Sequence, residues 1–439
     1  MTLRGQWDWP AQQGREVARL KRDLTMNSRP QRGLLAEWMI VAALFAAAGV
    51  ARAQDAWPAG LPGGYRQLDL PPASAAEPMF YGAGHYGAVD VCTPSCAPPA
   101  AVPCPCPCPC VAPPPVVWGG RVGALLLFRD DGDHAMFSYD SAVETYQLLD
   151  ARDAVEDFAP GVEARIVRFD LCALHGFEAV YWGAYPSDGE ATVYADQVAG
   201  DLNPILNFDQ LDYNGAAASA FVNDAVVHRL RSTSEFHNAE LNCLWGWTAA
   251  NPSCSPWTIR TLAGLRFFYL SDGLQFGSDA DNATFTGEPG ELYYTIDARN
   301  RLYGGQLGAY FDRVLARRWS LRGEVKAGVF ANDASATSHI GGAAGTAVVN
   351  NGPNAGRTWY VDANKWDVAF LGEVRGGVSW QAAPRWRLVA DYRVVAASGL
   401  ALPSDQIYHD LRGLQDVELL ATNGALLLHG AFVGAEWCF

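Results

Sequence analysis

Residues 320–329 read Ser-Leu-Arg-Gly-Glu-Val-Lys-Ala-Gly-Val. Successive side chains of an extended strand point to opposite faces. Leu321, Gly323, Val325, Ala327 and Val329 therefore share one face, and Arg322, Glu324 and Lys326 share the other. The same period runs from Trp366 through Val368, Phe370, Gly372, Val374, Gly376 and Val378 to Trp380, opposed by Asp367, Glu373 and Arg375. It recurs in Trp386–Val394, in Trp257–Tyr269 and in Trp118–Phe128. A sandwich strand is usually about 5–6 residues long. A strand crossing a bilayer at a tilt needs about 9–11. These runs meet the longer requirement, carry charges of both signs at mid-strand, and begin or end in aromatic residues. Apolar-out, polar-in alternation with aromatic edges is the pattern of a transmembrane barrel.

Working outward, ten such segments fall near 117–129, 161–171, 176–185, 234–248, 257–270, 299–312, 319–330, 364–380, 386–397 and 425–439. The segment 161–171 is the least regular, because Arg168 breaks its alternation. Short turns at 249–256, 312–318 and 381–385 alternate with long, polar, glycine-rich stretches, as in barrels with short periplasmic turns and long outer loops. The expected fold is all-β: an antiparallel up-and-down transmembrane β-barrel of about ten strands, with eight or twelve as alternatives. The last strand ends Glu436-Trp437-Cys438-Phe439, and Trp437 with Phe439 resembles the terminal signal by which outer-membrane barrels are inserted.

Composition agrees with this class and excludes others. The chain has 439 residues, 32 Lys and Arg against 47 Asp and Glu, and a net charge of −15. Nucleic acid requires a clustered basic face, and none is visible. The longest apolar run, Trp38–Val50, is too short for a spanning helix. It follows Arg29 and Arg32 and precedes Ala51-Arg52-Ala53, which together make a secretory signal with cleavage after Ala53. The organisation expected is an N-terminal extension and signal over 1–53, a Pro/Cys-rich periplasmic linker over 54–116, and the barrel over 117–439. Residues 92–115 read CTPSCAPPAAVPCPCPCPCVAPPP, an extended, disordered spacer of polyproline type. Ten cysteines suit an oxidising compartment. Cys243 and Cys254 flank a turn and form a possible disulfide.

The segments Trp118–Phe128, Thr258–Phe267, Leu302–Gly308 and Trp319–Gly328 resemble the BBP-type, porin-like outer-membrane β-barrel proteins of planctomycetes. The resemblance spans roughly 117–439 and leaves out the Cys-Pro linker. It implies an outer-membrane location and names no solute. The proline-cysteine linker and the charged long loops depart from the family pattern.

Chemistry is sparse. Eight histidines are present, and His237 and His429 fall on apolar strand faces near aromatics. No Ser/His/Asp constellation appears in a recognisable register, so no enzyme is expected. Asp130-Asp131-Gly132-Asp133 and Ser278-Asp279-Ala280-Asp281-Asn282 lack the full calcium-loop pattern and read as solvated acidic tips. No metal or other cofactor is expected. The informative residues face inward: Arg121, Glu178, Glu240, Arg260, Arg266, Arg322, Glu324, Lys326, Asp367, Glu373, Arg375, Arg387, Asp391, Arg393 and Glu436. Porins with open channels have about 16–18 strands, so these lumen-lining charges are expected to pair between adjacent strands and leave a narrow path. The expected function is a narrow solute channel or structural envelope component, with a barrel-anchored surface-interaction protein as the alternative. Its partners are the lipid bilayer and the outer-membrane insertion machinery. The sequence sets no oligomeric state.

Overall fold

The computed structural model describes residues 116–438, apart from 131–133, 156–157, 171–173, 248–256, 409–410 and 415–417. The expected signal with Ala51 and Ala53, residues 54–115 of the expected linker, Cys254 and Phe439 lie outside the described residues.

Ten strands form the barrel: β1 (Val116–Arg129), β2 (Ala159–Asp170), β3 (His175–Tyr194), β4 (Val227–Trp247), β5 (Trp257–Asp279), β6 (Glu291–Ala316), β7 (Trp319–Gly342), β8 (Tyr360–Ala383), β9 (Trp386–Leu400) and β10 (Gly424–Cys438). Each pairs antiparallel with its chain neighbour, and β1 closes on β10 from Gly119↔Cys438 to Arg129↔Leu428. Closure leaves no open edge among these strands, which a bilayer requires of any sheet that crosses it.

The outward face is apolar. Leu265 and Leu307 are each 69% exposed, and Val433 is 64% exposed. Trp118, Trp245, Trp257, Trp319 and Trp386 are exposed at the periplasmic end. There Trp319 meets Trp380, and Trp386 meets Trp437. At the other end His429 stacks on Phe128 and Tyr392, and His237 on Tyr181 and Tyr269. From Trp118 to Phe128 the chain advances about 33 Å at the strand rise. At the usual barrel tilt this projects to about 25 Å, the height of an outer-membrane apolar band.

Strands β3 to β8 run well past the outer girdle, further than the alternation suggested. Their hydrophobic phase inverts there. On β5 the outward residues change from Leu265, Phe267 and Tyr269 to Ser271, Gly273 and Gln275, while the inward residues become Leu274 and Phe276. The same face meets lipid below the girdle and water above it, and a search for one continuous apolar face stops at the boundary. The overrun carries a cap with two small sheets. One joins Met136–Asp140, Val143–Asp150 and Leu202–Pro204; the other joins Leu211–Tyr213, Ala216–Ala217 and Val348–Val349. Phe137, Phe208, Phe276, Tyr294 and Trp359 are fully buried within its core.

The proposed Cys243–Cys254 bridge is corrected. Cys243 is a free thiol. The strand continues to Trp247, so Cys243 is not at the turn; it faces outward between Leu241 and Trp245, level with Phe177 and Ala263. Cys438, by contrast, is disulfide-bonded.

Candidate functional site

The barrel interior is built in layers. At the periplasmic end Val117, Val167, Phe169, Leu244, Leu262 and Tyr310 form an apolar floor. Towards the outside, Leu125, Trp182, Phe236, Phe268, Phe330, Leu428 and Phe432 belong to a second apolar layer. Between them lie Arg121, Arg165, Arg266, Lys326, Arg375 and Arg393, all buried, and nearer the periplasm, level with the floor, lie buried Arg260 and nearly buried Arg322 and Arg387. Eight carboxylates answer these nine cations: Glu163, Glu178, Glu240, Asp312, Glu324, Glu373, Asp391 and Glu436. The near balance matters because a buried charge is tolerated only when paired.

Pairing runs between adjacent strands, as the sequence suggests, and it also crosses the lumen between strands that are not neighbours. Arg375 on β8 reaches Glu163 on β2 at 2.9 Å, and Arg393 on β9 binds the same carboxylate. Arg165 on β2 meets Glu324 on β7 at 3.0 Å. Arg266 on β5 meets Glu373 on β8 at 3.0 Å, and Lys326 on β7 meets Glu240 on β4 at 2.8 Å. Nearer the periplasm Arg322 and Arg387 hold Glu436, and Arg260 holds Asp312. Between adjacent strands Arg121 pairs with Glu163, Arg165 with Glu178, Arg266 with Glu240, Arg393 with Glu373, and Arg375 with Asp391, which also binds Arg121 two strands away. Tyr310 donates to Glu178 at 2.6 Å, and Asn242 donates to Glu178 and Glu240. These links occupy the cross-section. A cavity of about 20 Å³ remains beside Arg260, Tyr310 and Asp391, enough for one water centre.

A strap closes the outer side. After Gly399 the chain folds inward, and Leu400, Ala401 and Leu402 are buried. Gly399 has φ +82° and a Cβ there would meet the Val368 carbonyl at 2.4 Å, so this bend needs glycine. Asn300 fixes the strap by donating to the Ala401 carbonyl at 2.7 Å and accepting its N–H at 2.8 Å. Asn332 donates to Asn300 and to the Gly399 carbonyl.

Asp367 is a correction. It has the inward parity of Glu373 but lies beside Trp366, at the outer end of the apolar band. Its side chain is 37% exposed, pairs with Lys365 at 2.7 Å and accepts from Thr422. It lines the outer mouth and not the charged layer. Glu163 and Arg165 were missed altogether. Val162, Ala164 and Ile166 are exposed on the opposite face, and that parity was available in the sequence. Arg168 hid it by placing a charge on the lipid side.

Trp437 lies half-buried on the outer surface, 6.0 Å from Trp386. His237 and His429 bond Tyr181 and Tyr392 in the outer girdle. In the acidic loop, Asp279 accepts N–H bonds from Asp281 and Asn282, and so shapes its own turn. Asp131, Gly132 and Asp133 of the other acidic tip lie outside the described residues. Among the described residues no group of three or more His, Cys, Asp or Glu could hold a metal ion.

A family model described as "Putative beta barrel porin-7 (BBP7)" matches residues 191–424. No curated protein matches the chain. Among solved structures the chain is similar to the outer membrane protease OmpT from Escherichia coli, with 10% identity, 74% of this chain and 96% of that one covered, and a TM-score of 0.37. It is also similar to a major outer membrane protein from Thermus thermophilus, with 11% identity, 74% and 99% coverage, and a TM-score of 0.27. The toluene transporter TodX of Pseudomonas putida matches at 10% identity, 74% and 89% coverage, and a TM-score of 0.26.

Proposed function

The chain belongs to the beta barrel porin-7 family, a porin-like outer-membrane β-barrel, and from that premise we propose that its lumen is shut at rest and that it serves as a structural envelope component. The observation carrying this reading is Glu163, fully buried and shared by Arg375, Arg393 and Arg121 from three other strands. Moving a solute past it requires breaking several buried ion pairs at once, each uncompensated charge costing several kcal/mol. The apolar layer and the Asn300-held strap add a second barrier above it.

The experiment is conductance in a planar bilayer. The native protein is expected to give no steady current. Replacing Glu373 and Arg375 together by glycine opens only the charged layer; a current is expected when residues 401–423 are also replaced by a short linker. A large, steady conductance from the unmodified barrel overturns this reading and makes the protein an open porin.

A second reading is favoured by the cap. Strands β3 to β8 rise beyond the lipid to carry an apolar core with Trp359 and Tyr294 in edge contact. A barrel that served only as a wall has no use for such an extension, whereas a surface-interaction module does. Catalysis has less support. Ser138 and His228 are hydrogen-bonded at 2.8 Å, but both are fully buried, and His228 Nε2 donates to the Val222 carbonyl. A nucleophile needs substrate access, and this pair reads as cap packing.

A further inference from the structure

The lipid-facing wall is concave from β10 through β1 to β6. A groove of about 1160 Å³ crosses it, with mostly apolar walls. It exceeds the about 300–1,000 Å³ of a small-molecule pocket. Its floor is made of small side chains: Gly120, Ala164, Ala179 and Ala239. Ile166 and Leu265 stand along its sides, 48% and 69% exposed. Gly120 cannot be larger, because a Cβ there would meet the ring of Trp437 at 2.3 Å. The groove starts at this Trp437 ring in the periplasmic girdle.

One outward position beyond Ile166 on β2 stands Arg168, level with Trp118 on β1 and Phe177 on β3. It is half-buried, and among the described residues it has no hydrogen-bond or ion-pair partner. A cation on the lipid side, at the girdle and with no carboxylate of the described residues bonded to it, is costly unless an anion from the membrane meets it. Guanidinium binds phosphate through two parallel hydrogen bonds.

We propose that this groove is a binding site for one anionic diacyl phospholipid of the periplasmic leaflet. Arg168 takes the phosphate, and the acyl chains lie over Gly120, Ala164 and Ala179. The depth fixes the class of ligand, since the floor lies within the hydrocarbon band and the cation lies at its periplasmic edge. A second copy of the chain fits poorly, because two concave faces set together leave a void that close packing forbids. The site requires only the outer-membrane placement and is independent of whether the lumen conducts.

The test uses the full mature chain, purified in detergent and shown to be folded by heat-modifiable gel mobility. Native mass spectrometry follows its titration with phosphatidylglycerol and with phosphatidylcholine. One phosphatidylglycerol should be retained about fivefold more strongly than phosphatidylcholine, the order of one interfacial arginine contact. Arg168→Gln should abolish that preference, and Arg168→Lys should keep part of it. Ala164→Trp fills the groove and should weaken both lipids. Equal retention of the two lipids by the native protein, an unchanged preference in Arg168→Gln, or a dimer lost in Ala164→Trp would overturn the proposal.

Discussion

Arg375 Nη1 stands 2.9 Å from Glu163 Oε1 across the lumen, joining β8 to β2, which are not neighbours in the sheet. Arg375 also holds Asp391 on β9, and Glu163 also holds Arg393. The two residues thus act as a tie-beam between distant parts of the wall. This relationship makes the interior a set of mutual dependences.

Glu163→Ala is expected to destabilise the barrel by about 3–5 kcal/mol, the cost of stranding buried charge partners. Glu163→Gln should fall between that variant and the native protein, since it keeps the shape and loses the charge. Urea unfolding in detergent, followed by gel mobility, gives the comparison. A loss under about 1 kcal/mol for Glu163→Ala would mean that water reaches the arginines, and the lumen would then be wet.

Leu307 tests the facing of the wall. It is 69% exposed on β6, between inward Gln306 and Gly308. Leu307→Arg should cost about 2–4 kcal/mol if the position lies near the bilayer midplane. Leu307→Ala should cost much less. Comparable insertion and unfolding midpoints for the two variants would contradict lipid contact at this position.

The strap gives a third expectation. Asn300 holds both backbone groups of Ala401 and is fully buried. Asn300→Ala leaves them unsatisfied, at about 1–3 kcal/mol. Amide exchange should quicken over residues 399–402 while β2 remains protected. Uniform protection in both segments would show that the strap is held by its leucines alone.

The barrel was legible where one environment governs a whole strand face. β1 and the lower half of β7 and of β8 each present lipid on one side and the charged layer on the other, so period two stands out. It was less legible where environments change along a strand. β5 passes from lipid to water at Tyr269, and its apolar residues then change sides. β2 was read least well because Arg168 faces outward while Val167 and Phe169 face inward in the floor. Pair identity was not legible, since alternation gives facing but not which distant strand lies across the lumen. Glu163 with Arg375 is such a pair.

The last prediction concerns acidity and the cap. His228 lies on β4 beyond the girdle residue His237, outside the membrane-spanning segment. It is fully buried, edge-on to Phe276 at 4.9 Å, and held by Ser138 and by the Val222 carbonyl. Burial disfavours the imidazolium and lowers its pKa from 6.5 to about 4. Burial acts in the same direction on His339. Between about pH 6.5 and pH 4 the unfolded cap therefore binds a proton at residue 228 that the folded cap refuses. Stability is full above pH 6.5 and falls as pH drops through that window. The difference between the two states corresponds to about 3 kcal/mol by pH 4. Tryptophan fluorescence and limited proteolysis of the cap, from pH 7.5 to pH 4.5, should show loosening before the lipid-embedded barrel changes its gel mobility. His228→Gln removes the titrating group and should flatten much of this dependence, at some cost in stability at neutral pH. An unchanged pH profile in His228→Gln would assign the acid sensitivity to other groups.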